Sequence, residues 1–186
     1  MDLISIFADK IWSVRYDGDE DSIFEILYDR FTDVEFLHNF YKKHITEINN
    51  SIWKNRTEEE FVEEVTREAD SFFERLEQID KDGSYSFDCE FMPLSNNPKS
   101  LEWVFEKQKA KGKGPNYSWP SYLRLYAVKI DKNKYIITGG GIKLVRCMQD
   151  SSYLVEELKK IDKVIKWLKE KGVNISKECG FLEAEE

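Results

Sequence analysis

The sequence predicts an α+β fold in which an acidic, helical N-terminal region precedes a small antiparallel β-meander packed against helices. Apolar residues recur at helical spacing over residues 22–79, whereas residues 122–148 hold short β-branched and aromatic runs separated by a polar turn and three glycines. Charge divides in the same way: residues 1–98 carry 24 acidic and 10 basic side chains, and residues 99–186 carry 12 and 18. We therefore expect an acidic helical region over residues 1–82 and an α+β region over residues 83–186, together forming one compact unit.

The N-terminal predictions rest on spacing and on capping residues. The apolar residues within 4–16 follow neither the helical nor the strand repeat clearly, so we predict either a short strand or a helix there. Helices are predicted over residues 22–30 and 33–48, and a longer one over residues 58–79 that opens on the capping box Thr57–Glu60. We interpret the many glutamates of this long helix as the solvent-facing side of an amphipathic helix. Residues 85–94 predict a strand or an irregular connector.

The C-terminal half begins with a predicted helix over residues 99–109 and a basic loop over residues 107–114. Two strand-like runs on either side of the polar turn 131–134 then predict a hairpin, and the run after the glycines predicts a third strand. Gly139–Gly141 lack the spacing of a phosphate-binding loop and indicate a tight turn or a bulge. A helix is predicted over residues 151–171, where Gly172 ends it.

The predicted meander also carries the candidate chemistry. Strand alternation would place Tyr122, Arg124 and Tyr126 on one exposed face. Guanidinium groups bind phosphate and aromatic rings stack on unpaired bases, so this face suggests an RNA-binding platform. Further phosphate contacts are expected from the lysines of the basic loop, which are Lys107, Lys109, Lys111 and Lys113. Cross-strand packing of ordinary surface residues and a solvated lysine-rich loop explain the same residues without any function.

Several classes of site find no support in the sequence. The three cysteines lie far apart, which argues for reduced thiols, and with only two histidines they suggest no metal site and no cofactor. No nucleophile–histidine–carboxylate triad is suggested, because both histidines lie in one acidic helical segment. No apolar run reaches the length of a membrane helix, so we expect a cytoplasmic protein without membrane contact.

The order of features over residues 91–172 resembles the RelE/HigB-type toxins of bacterial type II toxin–antitoxin systems. The resemblance rests on Leu-Arg-Leu-Tyr at residues 123–126, on Ile-Ile-Thr-Gly-Gly-Gly-Ile-Lys-Leu at residues 136–144 and on the closing helix. It implies a metal-independent endoribonuclease that cleaves mRNA, in the family at the ribosomal decoding site, and is neutralised by an antitoxin protein. By motif match, Arg124 is the phosphate-stabilising arginine, Lys143 the lysine of the last strand and Tyr126 its partner aromatic. Arg146 would add a second cation facing the developing charge.

The sequence also departs from that family. The chain is about twice as long, and the Lys-Lys pair and proline that commonly occur near the last strand are missing. Its sequence pI of about 5.0 disfavours binding to a polyanion because overall repulsion opposes it. Two hypotheses therefore stay open: an RNA-cleaving toxin, and a non-catalytic protein-interaction module in a regulatory or phage-defence assembly.

Overall fold

The structure is a computed structural model, and it describes residues 1–8, 10–82, 85–94, 106–112, 120–145 and 150–172. Within these residues the chain forms five α-helices and a six-stranded, mostly antiparallel sheet. The helices are α1 (Ile23–Thr32), α2 (Val34–Lys43), α3 (Ile45–Asn49), α4 (Glu58–Asp82) and α5 (Ser152–Glu170). The strands are β1 (Asp2–Phe7), β2 (Ile11–Arg15), β3 (Met92–Pro93), β4 (Glu106–Lys111), β5 (Leu123–Asp131) and β6 (Lys134–Ile142).

The sheet has the strand order β1-β2-β6-β5-β4-β3. Its first two strands settle the open prediction for residues 4–16 in favour of strands, since they form an antiparallel hairpin. β2 then pairs with β6 in parallel, with Ile11 opposite Tyr135, and this pairing joins the N-terminal residues to the C-terminal hairpin. The first 82 residues thus supply two strands as well as four helices, and the division of the chain at residue 82 stays a prediction.

The predicted N-terminal helices are confirmed, with one change. The capping box at the start of α4 is present, because the backbone N–H of Glu60 donates to Thr57 Oγ1 at 3.2 Å and that of Thr57 donates to Glu60 Oε2 at 2.9 Å. The single helix predicted over residues 33–48 is instead divided at His44, whose φ of −110° and ψ of 17° are not helical. The His44 ring stacks on Phe40 at 4.3 Å, and α3 begins at the next residue.

The predicted hairpin is confirmed as β5 and β6. Its turn contains Asn133, which has a φ of +59°, a left-handed conformation that asparagine tolerates better than most residues. The Asn133 side chain accepts hydrogen bonds from the backbone N–H of Phe87 and from Ser86 Oγ. The turn is therefore tied to residues 86–87, which belong to the connector after α4.

The third strand of the hairpin's sheet lies elsewhere than predicted. β6 contains the three glycines and ends at Ile142, residues 143–145 are not a strand, and residues 146–148 lie outside the described part of the chain. The third antiparallel partner is β4, which covers residues predicted to be the end of a helix and the start of a basic loop. The lysines of β4 alternate with other residues, and Ala110 between two of them is fully buried. This period of two is typical of a strand with one face in the core.

The glycines of β6 mark a bulge and a close approach of α5, so of the two predicted alternatives the bulge is confirmed and the tight turn is not. Tyr126 pairs with Gly139 and Ala127 with Ile137, so Thr138 is the extra residue of a bulge. A Cβ at Gly139 would collide with Glu157, and one at Gly141 would collide with Tyr153. Both of these side chains belong to α5, so the missing side chains allow this helix to lie directly on the sheet.

Helices cover both faces of the sheet. α1 and α4 pack on one face, where Leu125 lies beside Leu27 and points onto a helix as predicted, and α5 packs on the other. Because cross-strand partners share a face, Arg124 and Tyr126 lie on the α5 side with Gly141 and Gly139. Among the described helices, none is both long enough and apolar enough to span a bilayer.

Candidate anion-binding cleft

A cleft of about 1110 Å³ opens where β5 begins and β6 ends. One wall is formed by α3 and the segment that follows it, residues 49–54, and the other by residues 120–121 and 143–145. Three basic residues line it: Lys54, Arg124 and Lys143. The acidic residues of its lining are Glu47 and Asp150, so the described lining carries a slight excess of positive charge.

Arg124 is held at the inner wall of this cleft by the residues just before it in the chain. Its Nη1 donates to the carbonyl of Ser121 at 3.0 Å, to Ser121 Oγ at 2.7 Å and to the carbonyl of Leu123 at 2.6 Å. The residue is only 8% exposed, and burial lowers the pKa of its guanidinium, an effect that Tyr126 and Glu68 oppose. A fixed, partly desolvated guanidinium attracts an anion more strongly than a solvated one.

Lys143 lines the same cleft, directly after the end of β6. It is half-buried, and its backbone N–H donates to the carbonyl of Tyr122 at 2.7 Å. The structure therefore brings together Arg124 and Lys143, which lie 19 positions apart in the sequence and were both predicted as site residues.

Tyr122 does not lie on the predicted platform, and its placement on an exposed face is wrong. β5 begins at Leu123, so strand alternation does not extend to Tyr122, which turns towards α4. Its hydroxyl donates to Glu64 at 2.8 Å, its ring stacks on Trp53 at a centroid distance of 3.7 Å, and the residue is 2% exposed. Burial, followed by the hydrogen bond to Glu64, raises the pKa of Tyr122.

Tyr126 lies in the core rather than on a solvent-facing surface, so its predicted exposure is also wrong. The reason is α5, which covers this part of the sheet. Tyr126 is fully buried, and its hydroxyl has no hydrogen-bond partner among the described residues. Burial raises the pKa of Tyr126 well above its ordinary value. A tyrosine that transfers protons near neutral pH would need a lowered pKa instead.

The described part of the predicted basic loop belongs to β4 as far as Lys111, so the prediction of a loop is wrong for these residues, and their lysines have different surroundings. Lys107 pairs with Asp162 of α5 at 2.5 Å. Lys109 is half-buried, and burial lowers its pKa, with further contributions from Lys111 and Arg124. Lys111 is exposed and lies opposite Arg124 in the β4–β5 ladder. Lys113 and Arg146 lie outside the described residues.

Glu68 is a buried carboxylate that the sequence interpretation missed. Its two oxygens accept the backbone N–H groups of Tyr122 and Leu123 at 3.0 and 2.8 Å, so α4 holds the start of β5 beside the cleft. Burial raises its pKa, although those two hydrogen bonds act in the opposite direction. A signal was present in the sequence: Glu68 lies three residues after Val65 and four before Phe72, which places it on the apolar stripe of α4.

Trp53 is the second missed residue. It lines the cleft, is 5% exposed, and its indole N–H has no hydrogen-bond partner among the described residues. No local pattern in residues 49–57 indicates its burial, because its stacking partner Tyr122 is distant in the sequence.

The histidines do not enter the lining of the cleft. His38 contacts Glu58 at 2.6 Å, and His44 contacts Glu47 at 2.9 Å. In the part of the chain that the structure describes, no group of three or more His, Cys, Asp or Glu side chains is placed to hold a metal ion. Comparison with models of known protein families, with curated proteins and with solved structures found no match.

Proposed function

We propose that this protein is a toxin-type, metal-independent endoribonuclease that acts on mRNA in the cytoplasm, in association with the ribosome, and is neutralised by an antitoxin. One observation supports the proposal above the others. Arg124 and Lys143, the two cations that the RelE/HigB resemblance assigns to the reaction, line one cleft instead of lying apart.

The proposed reaction is attack of a ribose 2′-hydroxyl on the adjacent phosphate. The new P–O bond forms as the bond from phosphorus to the 5′-oxygen of the next nucleotide breaks, which leaves a 2′,3′-cyclic phosphate and a 5′-hydroxyl. A base takes the proton of the 2′-hydroxyl, and an acid protonates the departing 5′-oxygen. Negative charge accumulates on the phosphate oxygens as the new P–O bond forms, and fixed cations stabilise that charge. Arg124 is fixed by three hydrogen bonds to Ser121 and Leu123, so it needs little reorganisation to do this. Lys143 supplies a second positive charge beside it.

The cleft is large enough to admit a nucleotide of an RNA chain. Its volume of about 1110 Å³ lies close to the upper end of the roughly 300–1,000 Å³ of small-ligand sites. Ile52, which is 68% exposed, offers apolar surface at the rim, and Asn49, Asn50 and Ser51 offer hydrogen-bonding groups of the kind that read unpaired bases.

Because Tyr126 lies in the core, proton transfer in this proposal falls to another group. The described lining offers the ammonium of Lys143 and the carboxylates of Glu47 and Asp150. A general base must come within hydrogen-bonding reach of the 2′-hydroxyl, so only residues that line the cleft qualify.

The test is induced expression followed by mapping of mRNA ends. The wild type should arrest growth and create new 5′ ends, whereas Lys143→Ala and Arg124→Ala should do neither. The matched control is Lys132→Ala, which removes an exposed lysine of the hairpin turn. Growth arrest without new mRNA ends, or cleavage unchanged by Lys143→Ala, would contradict the proposal.

A second candidate is the non-catalytic protein-interaction module. Burial of Tyr122 and Tyr126 favours it, because the aromatic platform for bases is not formed by these residues. Harmless expression of a folded protein that leaves mRNA intact would favour this candidate over the first.

A further inference from the structure

Two depressions lie along the outer side of α4 and meet at Asp70. One, of about 420 Å³, lies between α4 and α1, and the other, of about 530 Å³, lies between α4 and α2. The two together are called the α4 groove below. Its lining on α4 extends from Glu59 to Glu77, and the 18 helical steps between these two residues correspond to about 27 Å.

The floor of the α4 groove is apolar. In the first depression the Phe73 ring lies 4.9 Å from that of Phe24 and 5.0 Å from that of Tyr28. Tyr28 remains 40% exposed, and Val34 in the second depression remains 52% exposed. Exposed apolar surface of this kind, set in two adjoining depressions with a polar rim, is what the apolar side chains of a partner would cover.

The rim of the α4 groove is strongly acidic. Its carboxylates are Glu25, Asp29, Glu59, Glu63, Asp70, Glu74 and Glu77. The only lysine or arginine in the described lining is Arg67, which contacts Glu63 at 3.5 Å. Lys81 pairs with Glu77 at 3.1 Å, whereas Asp70, at the junction of the two depressions, has no ion pair among the described residues.

We propose that the α4 groove binds a basic amphipathic helix of a partner protein. Apolar side chains of that helix would enter the two depressions, and its lysines or arginines would face the carboxylates of the rim. A groove about 27 Å long matches about 18 residues, or five turns, of such a helix. The inference is independent of the chemistry of the cleft, which opens beside α3 and the start of β5.

Other occupants fit less well. A nucleic acid is repelled by the rim, because its phosphates carry the same sign of charge. In a second copy of this chain, α5 is rich in lysine, but its apolar residues Leu154, Ile161, Val164 and Leu168 are buried against its own sheet. That helix would offer charge to the groove without the apolar side chains that the floor requires.

The experiment uses the full chain and a synthetic helix as the probe. The peptide has about 18 residues, with leucine on one helical stripe and lysine at the other positions. A scrambled peptide of identical composition has the same charge but no stripe. Binding is measured by fluorescence anisotropy and located by NMR chemical-shift changes on labelled protein.

We expect the amphipathic peptide to bind about tenfold or more tightly than the scrambled one, a difference of about 1.4 kcal/mol. Shift changes should lie on α1, α2 and α4. Asp70→Lys and Glu74→Lys should each weaken binding about tenfold at low salt, because each removes an attraction and adds a repulsion. The control Glu156→Lys reverses an exposed charge on α5, one that pairs with Lys159, and should leave affinity within about twofold.

Four outcomes would overturn the proposal. Equal affinity for the two peptides would show that binding is only a general attraction of a basic peptide by an acidic protein. Weakening by Glu156→Lys as large as that by Asp70→Lys or Glu74→Lys would show the same. Shift changes away from α4 would place the site elsewhere. Concentration-dependent dimerisation that Asp70→Lys abolishes would assign the face to a second copy.

Discussion

Glu157 of α5 occupies the space that a side chain on Gly139 of β6 would need. Its Oε2 accepts the backbone N–H of Gly140 at 3.1 Å and its Oε1 pairs with Lys160 at 2.7 Å, while the residue as a whole is 4% exposed. A buried carboxylate with these partners has little freedom to move aside. The glycine and the glutamate are therefore a matched pair that sets how closely α5 approaches the sheet.

Replacing Gly139 with alanine should consequently destabilise the fold. We expect a loss of about 1–3 kcal/mol in the free energy of unfolding, the usual range for overpacking a tight contact. Urea denaturation of the wild type and of Gly139→Ala measures it. In the double variant Gly139→Ala/Glu157→Ala the collision is absent, so the double variant should lose less stability than the two single losses added together. Strict additivity would show that the two residues do not interact.

Replacing Glu68 with glutamine should destabilise the start of β5. An amide has only one acceptor oxygen, so one of the backbone N–H groups of Tyr122 and Leu123 would lose its partner. The expected loss is about 1–3 kcal/mol, measured by urea denaturation at neutral pH. Glu63→Gln on the exposed side of α4 is the matched control and should change stability by less than about 0.5 kcal/mol.

The pH dependence of the Glu68 variant has a definite sign. Burial raises the pKa of Glu68 in the folded state above the ordinary glutamate value of 4.5. The folded state therefore binds a proton on the Glu68 carboxyl more strongly than the unfolded state does. The contribution of Glu68 to the free energy of unfolding falls as the pH rises from about 4.5 through the folded-state pKa. The stability advantage of the wild type over Glu68→Gln should shrink over that range, and an advantage that grows would contradict the buried-charge interpretation.

The contribution of Asp88 to stability should change with pH in the opposite direction to that of Glu68. Burial would raise its pKa, but hydrogen bonds from Lys129 at 2.8 Å, Tyr135 and the backbone N–H of Asn133 outweigh burial and lower it. Stabilisation by the Asp88 carboxylate is therefore present above the ordinary aspartate pKa of 3.8 and is lost as the pH falls through the lowered, folded-state value. Asp88→Asn should destabilise the protein more at pH about 7 than at pH about 3 in urea titrations. A difference that does not depend on pH would show that charge is not what this site contributes.

Local patterns predicted most helices and the hairpin, because their determinants lie within a few residues of each other. The capping box at Thr57–Glu60 and the period of the α4 stripe are of this kind. The strand β4 was missed because its lysines have low strand propensity, and pairing with β5 and β3 stabilises them there. Propensity was overridden by a contact between distant parts of the chain.

The candidate site was predicted in part for the same reason. Arg124 and Lys143 were singled out from the sequence, and the fold brings them to one cleft. The surroundings of Tyr122 and Tyr126 were not predictable from strand alternation, since α4 receives one ring and α5 covers the other. Alternation indicates which side of a strand a residue lies on, but the packing of helices decides whether that side meets solvent.

Arg124→Lys separates the charge of the cleft from its geometry. The guanidinium donates three hydrogen bonds through Nη1 and carries further N–H donors in a fixed plane, whereas an ammonium offers one point of charge on a flexible stem. If the proposed ribonuclease activity is present, the lysine variant should lose roughly 10²–10³-fold in the rate of RNA cleavage, the usual effect of removing one positioned group at a developing charge. Cleavage is measured on purified protein with ribosomes and a defined mRNA, beside the thermal midpoint of each variant. Lys132→Ala should cleave like the wild type. A folded Arg124→Lys protein with undiminished cleavage would show that a positive charge alone suffices and that the fixed orientation of Arg124 has no part in the reaction.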